Sequence, residues 1–197
     1  GWRAIWHEGA FPFYFVQIAP FKYYNGRRQR VPSPESLPEF WTIQSKAEHQ
    51  INHSGMVVTT DLVDNLDDIH PRDKQDVGHR LALLARAKTY GENVICCGPV
   101  FARAKFEDGK AILKFDNADG GLRSRDGQPL TWFTIAGVDG KFVPAEAKIV
   151  GKTVEVSSPE VKEPKAVRFA WDETAQPNFC NAAGLPVEPF RTDEAGK

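Results

Sequence analysis

The sequence has few cysteines, little net charge and no long hydrophobic run. Its three cysteines, Cys96, Cys97 and Cys180, are too few and too unevenly spaced for a zinc site. Twenty-five basic residues offset twenty-six acidic ones, and a net charge of −1 without a dense basic stripe argues against a nucleic-acid partner. No apolar run approaches the roughly 18–20 residues that cross a bilayer. We therefore expect neither nucleic-acid binding nor a membrane span.

Methionine is also scarce, because Met56 is the only one and the chain begins with Gly1. This start predicts a processed product, a trimmed chain or a fragment, with any leader lying upstream. The composition, with 41% hydrophobic and 26% charged residues, predicts a folded protein with a buried core. A length of 197 residues fits one medium domain or two small ones.

The first half of the sequence alternates strand-like and helix-like segments. Two short apolar runs, 11–19 and 55–60, predict strands buried on both faces, as in a parallel sheet. Apolar side chains at helical spacing predict helices over 39–52 and from Pro71 to Gly91. This alternation is typical of a doubly wound α/β sheet.

After residue 98 the pattern changes to short strands and turns. Asp108-Gly109, Asp126-Gly127 and Asp139-Gly140 are turn dipeptides typical of antiparallel strands. We therefore predict an α/β domain over 1–97 and an antiparallel β-sandwich over 98–197. The predicted strands cover 101–106, 110–115, 131–136, 141–148, 153–157 and 165–170.

The segment 61–80 (DLVDNLDDIHPRDKQDVGHR) carries the most chemical information. It places His70 directly before Pro71, a residue suited to the first helical position. Several carboxylates precede His70 in a loop after a predicted parallel strand, and open α/β sheets bind ligands at the carboxyl ends of their strands. A histidine held by a carboxylate through one ring nitrogen can act as a general base with the other. The alternative is a structural histidine at a helix start beside acidic loop residues. The carboxylates are Asp61, Asp64, Asp67 and Asp68.

Residues 68–71 (DIHP), followed by KQDVG and RLA, resemble the histidine block of the sialate O-acetylesterase family. The resemblance implies an SGNH-type serine esterase, and thus a partial flavodoxin-like sheet followed by the β-sandwich. It also implies hydrolysis of O-acetyl groups on sialic acid or other acetylated sugars, and a secreted, periplasmic or lysosomal location. The resemblance continues in FPF, FVQ and APF upstream and in GP, IAG, FVPA and PFR downstream.

The resemblance assigns roles to individual residues. His70 is the general base, and the Asp-x-x-His pattern of SGNH esterases selects Asp67 as its carboxylate partner. Asp68 is the alternative partner, because relatives keep this position more evenly. Gln17 ends the first strand, where it could line the acyl pocket. The alternative is that Gln17 is only a polar residue at a strand end.

We expect no cofactor and no metal. His49 and His53 lie four residues apart, but no third ligand is evident. The basic cluster 26–30 is typical of a solvated loop, with recognition of a sugar carboxylate by an arginine as the alternative.

The family also has a serine block, a glycine block and an asparagine block. None of these blocks occurs in this sequence, and none of its seven serines lies in such a motif. The chain therefore resembles the C-terminal portion of the family, and we expect a missing N-terminal chain, or a second copy, as its partner. Two alternatives stay open. One is a short, self-contained esterase with Ser54 or Ser45 as nucleophile, and the other is a non-catalytic carbohydrate-binding or interaction module.

Overall fold

The computed structural model describes residues 1–26, 30–118 and 120–193, and these form a mixed α/β protein with mostly antiparallel sheets. The described helices all lie before residue 90. No described helix is long and apolar enough to cross a membrane. The first half contains α1 (Trp2–Trp6), β1 (Phe13–Val16), α2 (Ser36–Gln50), β2 (Ser54–Val57) and α3 (Lys74–Leu84), which continues as a π-helical segment (Ala85–Thr89).

Strands β1 and β2 pair in parallel, as predicted, with Phe13 opposite Ser54 and Val16 opposite Val57. The expectation that both are buried on both faces is correct only for β2. All four residues of β2 are buried, whereas β1 is half-buried and Val16 is exposed. The reason is that both α2 and α3 pack on β2, whereas β1 packs mainly on α3.

Helix α2 begins at Ser36, three residues before the predicted start, and includes Pro38 in its first turn. Proline is tolerated there because the first N–H groups of a helix have no partner within the helix. The buried Trp41 fixes α2 against the end of β1, since its indole Nε1 donates to Ile18 O at 2.6 Å.

Helix α3 begins at Lys74, so the prediction that Pro71 opens it is wrong. The Asp73 side chain accepts a hydrogen bond from Asp76 N at 2.9 Å and caps the helix there. Gly91, with a φ of 70°, follows the helix end as predicted. The loop that carries His70 therefore extends to Asp73.

Residues after 98 form short strands, and Asp108-Gly109 joins the first two as the predicted antiparallel hairpin. Asp139-Gly140 also joins an antiparallel pair, but Asp126-Gly127 connects strands of different sheets. The predicted strand 141–148 is divided at Ala145. The strands are β3 (Val100–Glu107), β4 (Lys110–Asp116), β5 (Leu122–Ser124), β6 (Phe133–Ala136), β7 (Val143–Pro144), β8 (Glu146–Val150), β9 (Thr153–Ser157), β10 (Ala166–Phe169), β11 (Phe179–Asn181) and β12 (Phe190–Arg191).

One hydrophobic cluster joins the antiparallel sheets, whose strand orders are β3-β4-β9-β8, β12-β10-β6-β7 and β11-β5. Leu113 and Val156 from the first sheet share this cluster with Ile135 and Phe169 from the second and Phe179 from the third. All five are fully buried. Burial of alternate residues along β4 and β9 explains the two-residue periodicity of these segments.

Gly98 packs directly against the backbone that precedes β12. A Cβ atom at this position would lie 1.8 Å from Pro186 O. Because a backbone carbonyl cannot rotate away as a side chain can, we expect Gly98→Ala to lower the free energy of unfolding by about 1–3 kcal/mol. Urea denaturation measures this change.

Gly78→Ala is the matched control for Gly98→Ala. Gly78 lies inside α3 with open space around its Cα, so alanine there is expected to stabilise the protein by up to about 1 kcal/mol. Equal effects of the two substitutions would contradict the steric argument.

Candidate functional site

The loop between β2 and α3 carries His70 and leaves β2 at its carboxyl end. The His70 side chain is 82% exposed, and its Nδ1 lies 3.6 Å from Asp68 Oδ1. The same carboxylate oxygen accepts a hydrogen bond from His70 N at 3.0 Å. Asp68 thus turns the chain at His70 and faces one nitrogen of its ring, which leaves Nε2 for chemistry.

Asp67, the partner favoured by the sequence pattern, pairs with a lysine. Both of its carboxylate oxygens accept hydrogen bonds from Lys22 Nζ, at 3.1 and 3.2 Å. In this geometry Asp67 pairs with a cation on the loop after β1, and Asp68 is the carboxylate that lies beside the His70 ring.

Gln17 follows β1 directly and is 2% exposed. Its backbone is fixed, because Gln17 N donates to Val57 O at 2.8 Å and Gln17 O accepts from the Thr59 hydroxyl at 3.1 Å. Its side-chain Oε1 and the Thr60 hydroxyl are buried without a hydrogen-bond partner in the described part of the chain. A buried polar atom without a partner costs about 1–3 kcal/mol. The carboxyl edge of the parallel sheet therefore holds two buried polar atoms that have no partner among the described residues.

A buried ion pair anchors the base of the His70 loop. Arg80 of α3 donates to both carboxylate oxygens of Asp61, at 2.8 and 2.6 Å, and also to Val58 O. Arg125, from the turn after β5, reaches the same carboxylate at 2.7 Å. The Asp61 side chain is 2% exposed and that of Arg80 is 7% exposed. Asp61, one of the four carboxylates considered as partners of His70, therefore has a structural role, and sequence reasoning did not identify either arginine.

Glu173 joins the strand-rich half to the loop after β1. Its fully buried carboxylate accepts hydrogen bonds from Tyr24 N at 2.6 Å and Asn25 N at 2.9 Å, and Phe21 N donates to its backbone oxygen. In the same loop, Lys22 N donates to the His70 loop at Leu66 O. Sequence analysis missed Glu173 because its partners lie about 150 positions earlier. Arg27 and Arg28 of the basic cluster lie outside the described residues.

The two serines considered as relocated nucleophiles lie on elements other than the His70 loop, and their hydroxyls have other partners. Ser54 is the first residue of β2, at the opposite end from the His70 loop, and its hydroxyl donates to Glu48 O and Ile51 O. Ser45 lies on α2, where its hydroxyl donates to Glu188 Oε2 at 2.7 Å. Neither hydroxyl is hydrogen-bonded to His70.

The Glu188 carboxyl, which accepts a hydrogen bond from the Ser45 hydroxyl, should make the stability of the protein depend on pH. Burial raises the pKa of Glu188 above its ordinary value of 4.5. The folded protein therefore holds this proton more tightly than the unfolded chain, so stability decreases as the pH rises above about 4.5. We expect Glu188→Gln to make the free energy of unfolding fall less steeply over that range.

Urea denaturation at a series of pH values between about 4 and 8 measures this slope. Glu160→Gln is the control, because Glu160 is exposed. A Glu188→Gln variant whose slope equals that of the unsubstituted protein would contradict the prediction.

The curated proteins that are similar to this chain match only part of its length. No family model matches. Identity to the sialate O-acetylesterase of Rattus norvegicus is 34% over 113 residues, and to that of Homo sapiens 30% over 128 residues. These matches cover 51% and 57% of this chain but only 20% and 23% of those proteins. The chain thus matches about a fifth of the length of these relatives.

A crystal structure of a carbohydrate acetylesterase from Xanthomonas citri is similar over 98% of this chain, with a TM-score of 0.87 and 42% identity. The chain covers 44% of that protein. The predicted resemblance is therefore confirmed, and this chain is related to the sialate O-acetylesterases and to a carbohydrate acetylesterase of known structure.

Proposed function

We propose that this chain supplies the general base of a serine ester hydrolase that removes O-acetyl groups from sugars, sialic acid among them. The observation that carries the proposal is the Asp68–His70 pair on the loop after β2, in a chain 42% identical to a carbohydrate acetylesterase. Acetylated sugars are proposed as the substrate class because the similar proteins of Rattus norvegicus and Homo sapiens are sialate O-acetylesterases.

In the proposed mechanism, Asp68 faces Nδ1 of His70, and Nε2 takes the proton from a serine hydroxyl as its oxygen attacks the acetyl carbonyl carbon. His70 then returns this proton to the sugar oxygen as the ester bond breaks. Water attacks the acyl-enzyme with His70 again as base, and acetate leaves. The 3.6 Å separation is longer than a hydrogen bond, and such contacts shorten when substrate binds.

We propose that the serine comes from a polypeptide segment outside this chain. Ser54 and Ser45 are engaged at other places in the fold, and the chain covers less than half of the Xanthomonas citri acetylesterase. In this arrangement β1 and β2 belong to a larger flavodoxin-like sheet over 1–97, and residues 98–197 form a β-sandwich domain. The half-buried β1 and the exposed Trp2 and Trp6 of α1 fit a surface that such a segment covers.

A chimera tests this proposal. The part of the Xanthomonas citri acetylesterase that this chain does not match is joined to this chain, and acetate release is measured on p-nitrophenyl acetate and an O-acetylated sialoside. We expect turnover of both esters by the chimera. The chain alone should hydrolyse only the activated ester, slowly, because the nucleophile and oxyanion donors are absent from it.

Two outcomes would contradict the proposal. Rapid sialoside hydrolysis by the chain alone would favour a relocated nucleophile, which Ser45→Ala and serine-reactive phosphonate labelling would identify. A folded chimera that binds the sialoside without hydrolysing it would favour a carbohydrate-binding module.

A further inference from the structure

Cys96 and Cys97 are adjacent residues whose sulfur atoms contact each other at 3.4 Å. Successive side chains on an extended chain point to opposite sides. The backbone after α3 instead directs both thiols to one side, where they line a cavity of about 600 Å³ together with Lys88, His49 and Glu188. Both cysteines are half-buried, whereas Cys180 is fully buried in β11, and none of the three forms a disulfide. The pair is thus accessible from the cavity.

The backbone at this pair is held in place. Asn181 Nδ2 donates to Cys97 O at 3.0 Å, and the following residue, Gly98, packs against Pro186 O. Lys88 is fixed in the same cavity wall by hydrogen bonds to Glu48 Oε1 at 2.9 Å and Ser54 O at 3.1 Å. The two sulfurs are therefore neighbours because of fixed tertiary contacts.

We propose that Cys96 and Cys97 form a reactive vicinal dithiol, a modification site at which a hydroperoxide oxidises both thiols to a reversible disulfide. The Cys96 thiolate attacks one peroxide oxygen and the O–O bond breaks, which gives a sulfenic acid and, from hydrogen peroxide, hydroxide. The Cys97 sulfur then attacks the Cys96 sulfur, the S–O bond breaks, the disulfide forms and water leaves. Two thiols lose two electrons and two protons, and the peroxide is reduced to two waters.

Burial, and then the neighbouring Cys96, raises the pKa of the Cys97 thiol to about 12. The steps are therefore written with Cys96 attacking first, and the net reaction is the same in either order. Adjacent Cα atoms are about 3.8 Å apart, closer than in ordinary disulfides, so the bond is strained and easily reduced.

Peptide mapping tests the proposal, because tryptic peptide 89–103 contains both cysteines and peptide 169–191 contains Cys180. After the native protein is treated with hydrogen peroxide, peptide 89–103 should lose the mass of two hydrogen atoms and regain it with dithiothreitol. Peptide 169–191 should not change. One equivalent of phenylarsine oxide, which bridges neighbouring thiols, should prevent the oxidation.

Cys96→Ser and Cys97→Ser should abolish the reversible loss of mass, and Cys180→Ala should retain it. Three results would overturn the proposal. They are irreversible gain of oxygen on a single cysteine, a crosslink between the two peptides or between two chains, and an unchanged peptide 89–103.

Discussion

Replacement of His70 by alanine in the chimera is expected to lower kcat for O-acetyl esters by about 10²–10⁴-fold, the range that a positioned general base contributes. The melting temperature should change little, because the His70 side chain is 82% exposed and buries almost no surface. Acetate release and thermal unfolding, measured on the same preparation, give the two quantities.

His79→Ala is the control for His70→Ala. His79 is an exposed histidine on α3, nine residues after His70, and its loss should leave kcat unchanged. Asp68→Asn and Asp67→Asn then compare the two carboxylates directly. We expect Asp68→Asn to lower kcat more than Asp67→Asn, because only Asp68 faces the His70 ring. Equal activity of His70→Ala and His79→Ala would reject His70 as the base.

Replacement of Asp61 by alanine is expected to destabilise the protein by about 3–5 kcal/mol, the usual effect of removing one partner from a buried ion pair. The Arg80 guanidinium would remain buried with only Val58 O as its acceptor from this cluster. Arg125, whose side chain is 34% exposed, can turn to solvent, so the cost arises mainly at Arg80. Urea denaturation gives the free energy of unfolding.

Asp64→Ala is the matched control, because Asp64 lies in the same loop and also faces an arginine. The Asp64–Arg72 contact is 3.6 Å, with side chains 52% and 72% exposed, so its loss should cost less than about 1 kcal/mol. A cost for Asp61→Ala as small as this would show that Arg80 finds solvent or another acceptor. Substituting Arg80 together with Asp61 should recover part of the loss, since no buried charge then remains unpaired.

Features set by short-range rules were predictable from the sequence. Asp108-Gly109 makes a hairpin because both residues tolerate the positive φ that the turn requires. The alternation along β4 follows from burial of one face of a strand. The histidine block was recognisable because its residues are consecutive, and Asp68 reaches His70 across only two positions.

Boundaries where two local rules compete were less predictable. Pro71 suits a helix start, but the Asp73 side chain caps the chain three residues later, at Lys74. The predicted helix began after Pro38, yet the first turn of α2 accepts this proline. In each case the choice depends on a hydrogen bond or a helix position that composition does not specify.

The contacts that hold the candidate site were decided by the tertiary structure alone. Glu173 reaches Tyr24 and Asn25 across 149 and 148 positions, and Arg125 joins Asp61 from the other half of the chain. Local patterns cannot signal such partners, because they meet only after both halves have folded. By itself the sequence determined the longer helices and strands and the histidine with its adjacent carboxylates, but not the short elements α1, β5, β11 and β12. The tertiary structure decided which carboxylate faces His70, because Lys22, from a separate loop, pairs with Asp67.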